Sequence, residues 1–138
     1  MRRFLAASLL SLIAIAGCGG SKSVSTHDPE REVRALVTSF DNAVATGDFG
    51  QACKDLTPAR GASLVREVDR AAPSIVACSE AVGVAATDEL RAAVKSTRIK
   101  SVVVNGDRAR IVLMREGKPV ELEAVREASG WKVNEPES

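Results

Sequence analysis

Apolar positions follow two different periods along this chain, and the period changes near residue 97. Over residues 28–46, Val33, Leu36, Val37, Phe40 and Val44 recur at three- and four-residue spacing, with Arg31, Arg34, Asp41 and Asn42 on the other side. That spacing predicts an amphipathic helix with one inward face. Asp28, Pro29 and Glu30 form a start signal and Gly47 a stop. Asp48, with Gln51 three residues on, has the form of a capping box and predicts a second, short helix. Its Phe49, Ala52, Cys53 and Leu56 face the first helix. Thr57-Pro58 starts a third over residues 58–71, with Leu64, Val65 and Val68 inward and Arg60, Arg66, Glu67 and Arg70 outward. Gly61 weakens the first turn of that helix, and Pro73 either breaks it or starts a new turn. Residues 74–80 read as a turn or two of helix carrying Ile75 and Cys78, and residues 83–86 fit strand or loop equally. Thr87 caps a further helix over 88–95 with Leu90, Ala93 and Val94 inward.

From Thr97 onward the period is two. Val102, Val103 and Val104 run into Asn105-Gly106-Asp107, and Asn-Gly between apolar runs is the strongest short hairpin signal. Ala109, Ile111 and Leu113 alternate with Arg108, Arg110 and Val112; after a turn at Gly117-Lys118, Val120, Leu122 and Ala124 alternate with Glu121, Glu123 and Val125. Ser129-Gly130 turns again, and Trp131 and Val133 close the pattern. Four antiparallel strands with one apolar face are predicted. A helical first half and a meander second half make an α+β domain in which the helices cover that face.

The start of the chain is of another kind. Arg2 and Arg3 precede an uncharged run from Phe4 to Ala16. That run is shorter than the roughly 20 residues a membrane-spanning helix needs. A basic start, an apolar middle and small residues at its end are the layout of an export signal. Ile15-Ala16-Gly17-Cys18 resembles the bacterial lipoprotein signal, the lipobox, and Gly19 to Ser23 follow as a polar leader. The resemblance implies a signal peptide over 1–17, acylation (palmitate and diacylglyceryl) of Cys18, a lipidated flexible tether over 18–27, and a single domain over 28–138. That domain would stand on the extracytoplasmic side of a bacterial cell membrane or outer envelope. An ordinary signal peptide and an uncleaved anchor are the competing readings of the same residues.

Charge narrows the partners. With 19 basic and 18 acidic residues the chain has no excess suited to nucleic acid or acidic lipid. Membrane attachment would therefore rest on the acyl chains. About 110 residues remain for the folded part, which is one core's worth.

Cys53 and Cys78 are expected to pair, because export places them in an oxidising space. Two unrelated buried thiols are the competing reading. The spacing excludes a Cys-x-x-Cys redox centre. The only histidine, His27, precedes the domain, so no metal site or other cofactor is expected.

The whole arrangement resembles the NTF2-like superfamily, in which a long helix and two shorter ones pack on a curved sheet. Phe40–Ala43, Gly47-Asp48, Ala52-Cys53, the hairpin from Val104 to Ala109 and Gly130-Trp131-Lys132-Val133 carry the likeness over residues 30–134. It implies a curved four-stranded antiparallel sheet and a pocket between sheet and helices, lined by Val33, Phe40, Leu64 and Trp131; a core position is the competing reading for Trp131. Enzymes of that family place an acid or a histidine in the pocket, often with a tyrosine. This chain has no tyrosine. Asp55, Glu80, Asp107 and Glu116 stand by turns or helix ends, where a carboxylate caps or faces water. Glu121 and Glu123 read as cross-strand partners of Arg108 and Arg110. No catalytic residue is assigned. The expectation is a non-enzymatic envelope lipoprotein that binds a protein partner or a small apolar ligand, the alternatives being a small NTF2-like enzyme acting on an apolar substrate and a purely structural or stress-related surface module.

Overall fold

The computed structural model describes residues 27–134. The signal peptide, Cys18 and all of the expected tether except His27 lie outside the described residues, as do residues 135–138. The chain order is α1 (Pro29–Thr46), α2 (Phe49–Asp55), α3 (Pro58–Asp69), α4 (Cys78–Ala85), α5 (Asp88–Lys95), then β1 (Arg98–Asn105), β2 (Arg108–Arg115), β3 (Lys118–Glu127) and β4 (Gly130–Asn134).

Four of the five helices start on the side chains the sequence marks. The Asp28 carboxylate accepts from the N–H groups of Glu30 and Arg31, and the helix ends at Gly47 with φ 83°, a left-handed conformation natural to glycine. Asp48, Thr57 and Thr87 accept from the N–H groups of Gln51, Arg60 and Leu90. The capping box at Asp48 is only half formed, because the Gln51 amide donates to Asp55 Oδ1 instead of reaching back.

The helix expected over 74–80 begins only at Cys78, and the segment left between strand and loop, 83–86, is largely the last turn of α4. Gly83 misled the reading: it sits inside the helix because a Cβ there would lie 3.1 Å from two carbons of the Phe49 ring. Gly61 has the same cause in α3, where a Cβ would lie 3.3 Å from Cys78 Sγ. Both glycines mark close helix contacts and neither marks a break.

The sheet is an antiparallel meander in the order β1-β2-β3-β4. Val104, Ala109, Ala124 and Val133 share one row across it, and Val102, Ile111 and Leu122 share the next. These rows face the helices. Ile111, Leu113, Val33 and Val37 are the largest fully buried side chains, so the core lies between α1 and the middle of the sheet. Val103, inside an apolar run, points to the other face and is 62% exposed.

The curved, NTF2-like sheet is not what forms. The sheet is flat and open, with β1 and β4 as its edges, and does not curl toward a cone. Curling requires bulges or glycines within the strands. Among the described residues the only register shift between paired strands falls between Ile99 and Ser101 on the edge, while β2 and β3 pair without a break from Arg108–Val125 to Arg115–Lys118.

At the β4 edge the chain leaving α2 lies alongside. Leu56 bridges Val133 in parallel, and the Thr57 N–H donates to the Val133 carbonyl at 2.9 Å. The Cys53–Cys78 disulfide, with an S–S distance of 2.08 Å, ties α2 to the start of α4. The pairing expected from the two cysteines is therefore present.

Candidate functional site

A cavity of about 280 Å³ lies between the helices and the apolar face of the sheet. Phe40 and Val44 of α1, Leu64 of α3, Val82 of α4, Leu90 of α5 and Leu122 of β3 are among its walls. It lies where the helices cover the flat sheet chiefly along α1, with lesser contact of α2 and α3 at β4, while α4 packs on α2 and α3 instead of on the sheet. The disulfide and the two close glycine contacts hold α3 and α4 in that position.

Two of the four residues expected to line a pocket, Phe40 and Leu64, are on this cavity. The other two are elsewhere. Val33 is fully buried and Trp131 is 6% exposed, both in the core cluster under α1. Among the described residues Trp131 Nε1 has no hydrogen-bond partner, and its effect on the nearby Glu32 carboxylate is slight. Glu32 is held below the usual carboxylate range chiefly by its hydrogen bond with His27, with Nδ1 2.6 Å from Oε1; the charges of His27 and Arg126 add to this. His27 is thus tied to the first turn of α1.

Among the described residues, the polar groups on the cavity wall are Arg60, Arg115 and Asn134. Arg60 sits in the first turn of α3, and its side chain is 26% exposed, with Nη1 3.0 Å from Glu67 Oε1. Asn134 is held by the Thr57 hydroxyl, 2.9 Å from Oδ1, and donates to Glu123 at 3.2 Å. Arg115 ends β2, donating from Nη2 to Asp41 at 3.0 Å and from Nε to Thr97 at 3.0 Å.

The helical spacing puts Asp41 on the outer face of α1, yet it is 7% exposed. The signal was available: Val33, Val37 and Asp41 are spaced by four, so they share one stripe of the helix. Burial pushes the Asp41 carboxyl up from its ordinary pKa, and the Arg115 charge opposes that push. Asp41 lines a smaller cavity of about 160 Å³ on the other side of the pair, with Thr97 and Ile99.

Other acids also depart from their expected places. Asp55 is buried and neither caps nor faces water; it accepts from the Ser39 hydroxyl at 2.7 Å and from Gln51 at 3.0 Å, joining α1 to α2. Glu123 stands opposite Arg110 and accepts from Arg108 at 3.3 Å, but Glu121 stands opposite Val112 and has no arginine across from it. Glu80 reaches back to the Ala77 N–H at 3.4 Å, as a first-turn acid should. Among the described residues no cluster of three or more His, Cys, Asp or Glu is placed to hold a metal ion, and no helix is long and apolar enough to cross a membrane.

No family model matches the chain, and neither a curated protein nor a solved structure matches it. The lipoprotein-signal and NTF2-like resemblances find no support in these comparisons, and the flat, open sheet contradicts the second. The fold stands as an α+β domain with helices packed on a four-stranded sheet.

Proposed function

We propose that this domain is a non-enzymatic binding module that takes a small, largely apolar ligand into the cavity between its helices and its sheet. The observation that carries this is the cavity itself, about 280 Å³ and walled mainly by aliphatic and aromatic side chains from four helices and two strands. That volume is at the small end of ligand sites, and apolar walls with few polar groups are their usual composition. The polar groups on the wall bind and orient, and they do not transfer protons: two guanidinium groups stay charged at any ordinary pH and one amide does not titrate. Asp41, the buried acid bonded to the wall residue Arg115, lines the smaller cavity instead. The disulfide supports an oxidising, extracytoplasmic place of work.

Leu64→Trp tests the reading, because Leu64 is only partly buried and a larger ring there fills the cavity while the core stays intact. Native mass spectrometry and calorimetry with 1-octanol should detect binding to the unmodified domain. The variant should keep its circular dichroism spectrum and bind about tenfold more weakly or not at all, since each 1.4 kcal/mol is a factor of ten. No octanol binding by the unmodified domain at millimolar concentration, or equal binding by the folded variant, refutes the proposal.

A further inference from the structure

We infer that the ligand is a short-chain amphiphile with a single carboxylate head, and that Arg60 is the residue that receives it. This holds only if the cavity is a ligand site. Among the described residues, both charged residues on the cavity wall are arginines, and no carboxylate lines it. An apolar chain with a negative end therefore matches the site, and one with a positive end is repelled.

The two guanidinium groups are not equally available. Arg115 is part of the fold: it meets Asp41 and Thr97, each at 3.0 Å, and the side chains of Arg115 and Asp41 are only 16% and 9% exposed. Arg60 meets Glu67, whose side chain is 46% exposed. Exposed ion pairs of this kind are weak and open readily. Arg60 also touches both the cavity and solvent, so a ligand's head can reach it while the chain lies on Leu64, Phe40 and Leu122. A guanidinium offers a carboxylate two parallel N–H donors.

Arg60 alone suits a monoanion. Asn134, beside it on the wall, is already bonded to Thr57 and Glu123 and adds no charge. A dianionic phosphate monoester would leave one charge unmet. The cavity volume corresponds to roughly nine waters at about 30 Å³ each, so a chain of about eight carbons fills it.

The test compares dissociation constants for octanoate, 1-octanol, octylammonium and octyl phosphate at pH 7.5. They are measured by calorimetry on the unmodified domain and on Arg60→Gln, Arg60→Lys and Glu67→Gln. Octanoate should bind about tenfold tighter than octanol, as expected for one charge-assisted contact at a half-exposed site, and octylammonium should be the weakest. Arg60→Gln should bring octanoate down to the octanol level, and Arg60→Lys should keep part of the preference. Glu67→Gln should tighten octanoate severalfold by removing the competing carboxylate, which a merely structural role for Arg60 would not produce. If octanol binds and octanoate shows no preference, or if the preference survives in Arg60→Gln, the carboxylate site is wrong and the cavity remains a ligand site. Octyl phosphate binding tighter than octanoate overturns the choice of head group. If none of the four binds, both readings fall.

Discussion

Breaking the Cys53–Cys78 bond will lower the stability of the domain by about 3 kcal/mol, a large share of the roughly 5–15 kcal/mol typical of a single domain. The bond closes a loop 25 residues apart in sequence, and the loss is mainly the loop-closure entropy returned to the unfolded chain. For a domain of this size the melting temperature should fall by roughly 10–20 °C. The measurement is a thermal scan with and without reductant, alongside the Cys53→Ala/Cys78→Ala variant, which should match the reduced protein. A shift of only a degree or two would show that the bond contributes little. The loss should also reach the cavity. Cys78 starts α4 and touches α3 at Gly61, so Leu64 and Val82 lose their common tie when it is cut. Octanol affinity should fall at temperatures where the reduced domain is still folded.

Arg115→Met should cost about 3 kcal/mol at pH 8, because it leaves the Asp41 carboxylate buried without its partner. The pH dependence identifies the cause. In the folded chain burial already raises the Asp41 pKa above its ordinary value, with Arg115 holding it back. The folded state therefore binds this proton more tightly than the unfolded state does. On that account stability is greatest when the carboxyl is protonated, falls as pH rises from about 4 through the raised folded value, and is flat above it. Without Arg115 the folded value rises further, so the fall becomes deeper and extends to higher pH. Urea unfolding at pH 5 and pH 8 should thus show a smaller penalty for Arg115→Met at the lower pH. Asp41→Asn/Arg115→Met should recover most of the loss at pH 8. An equal penalty at both pH values would mean that the arginine stem, and not its charge, is what Asp41 needs.

What could be read beforehand was local. Asp28, Asp48, Thr57 and Thr87 announce helix starts because a cap bonds to an N–H two or three residues away. The strand faces follow from alternation, which needs no knowledge of the rest of the chain. What was missed depends on contacts far apart in sequence. Gly83 looks like a breaker until Phe49 is brought against it. Asp41 shares a helix stripe with Val33 and Val37, but what lets an acid stay buried there is Arg115, 74 residues later. The NTF2-like resemblance puts Phe40 and Leu64 on a pocket, together with Val33 and Trp131, which the core takes instead; Arg60 reads as outward because a 3.6-residue period reports where Cα–Cβ bonds point and not where a long guanidinium stem ends. The flatness of the sheet was hidden for a similar reason. Alternation is the same in curved and flat strands, and only the bulge positions distinguish them.

The chain passing beside β4 makes the two sides of the sheet unequal. With Leu56 and Thr57 against Val133, that margin already has a neighbour, whereas β1 presents its outer backbone beyond the irregularity at Lys100. Growth by strand addition requires two such margins on every molecule, one to receive and one to offer. Here the second margin is met by another segment only at Val133, so a first strand-to-strand contact is expected at β1 and a second one is impeded at that point.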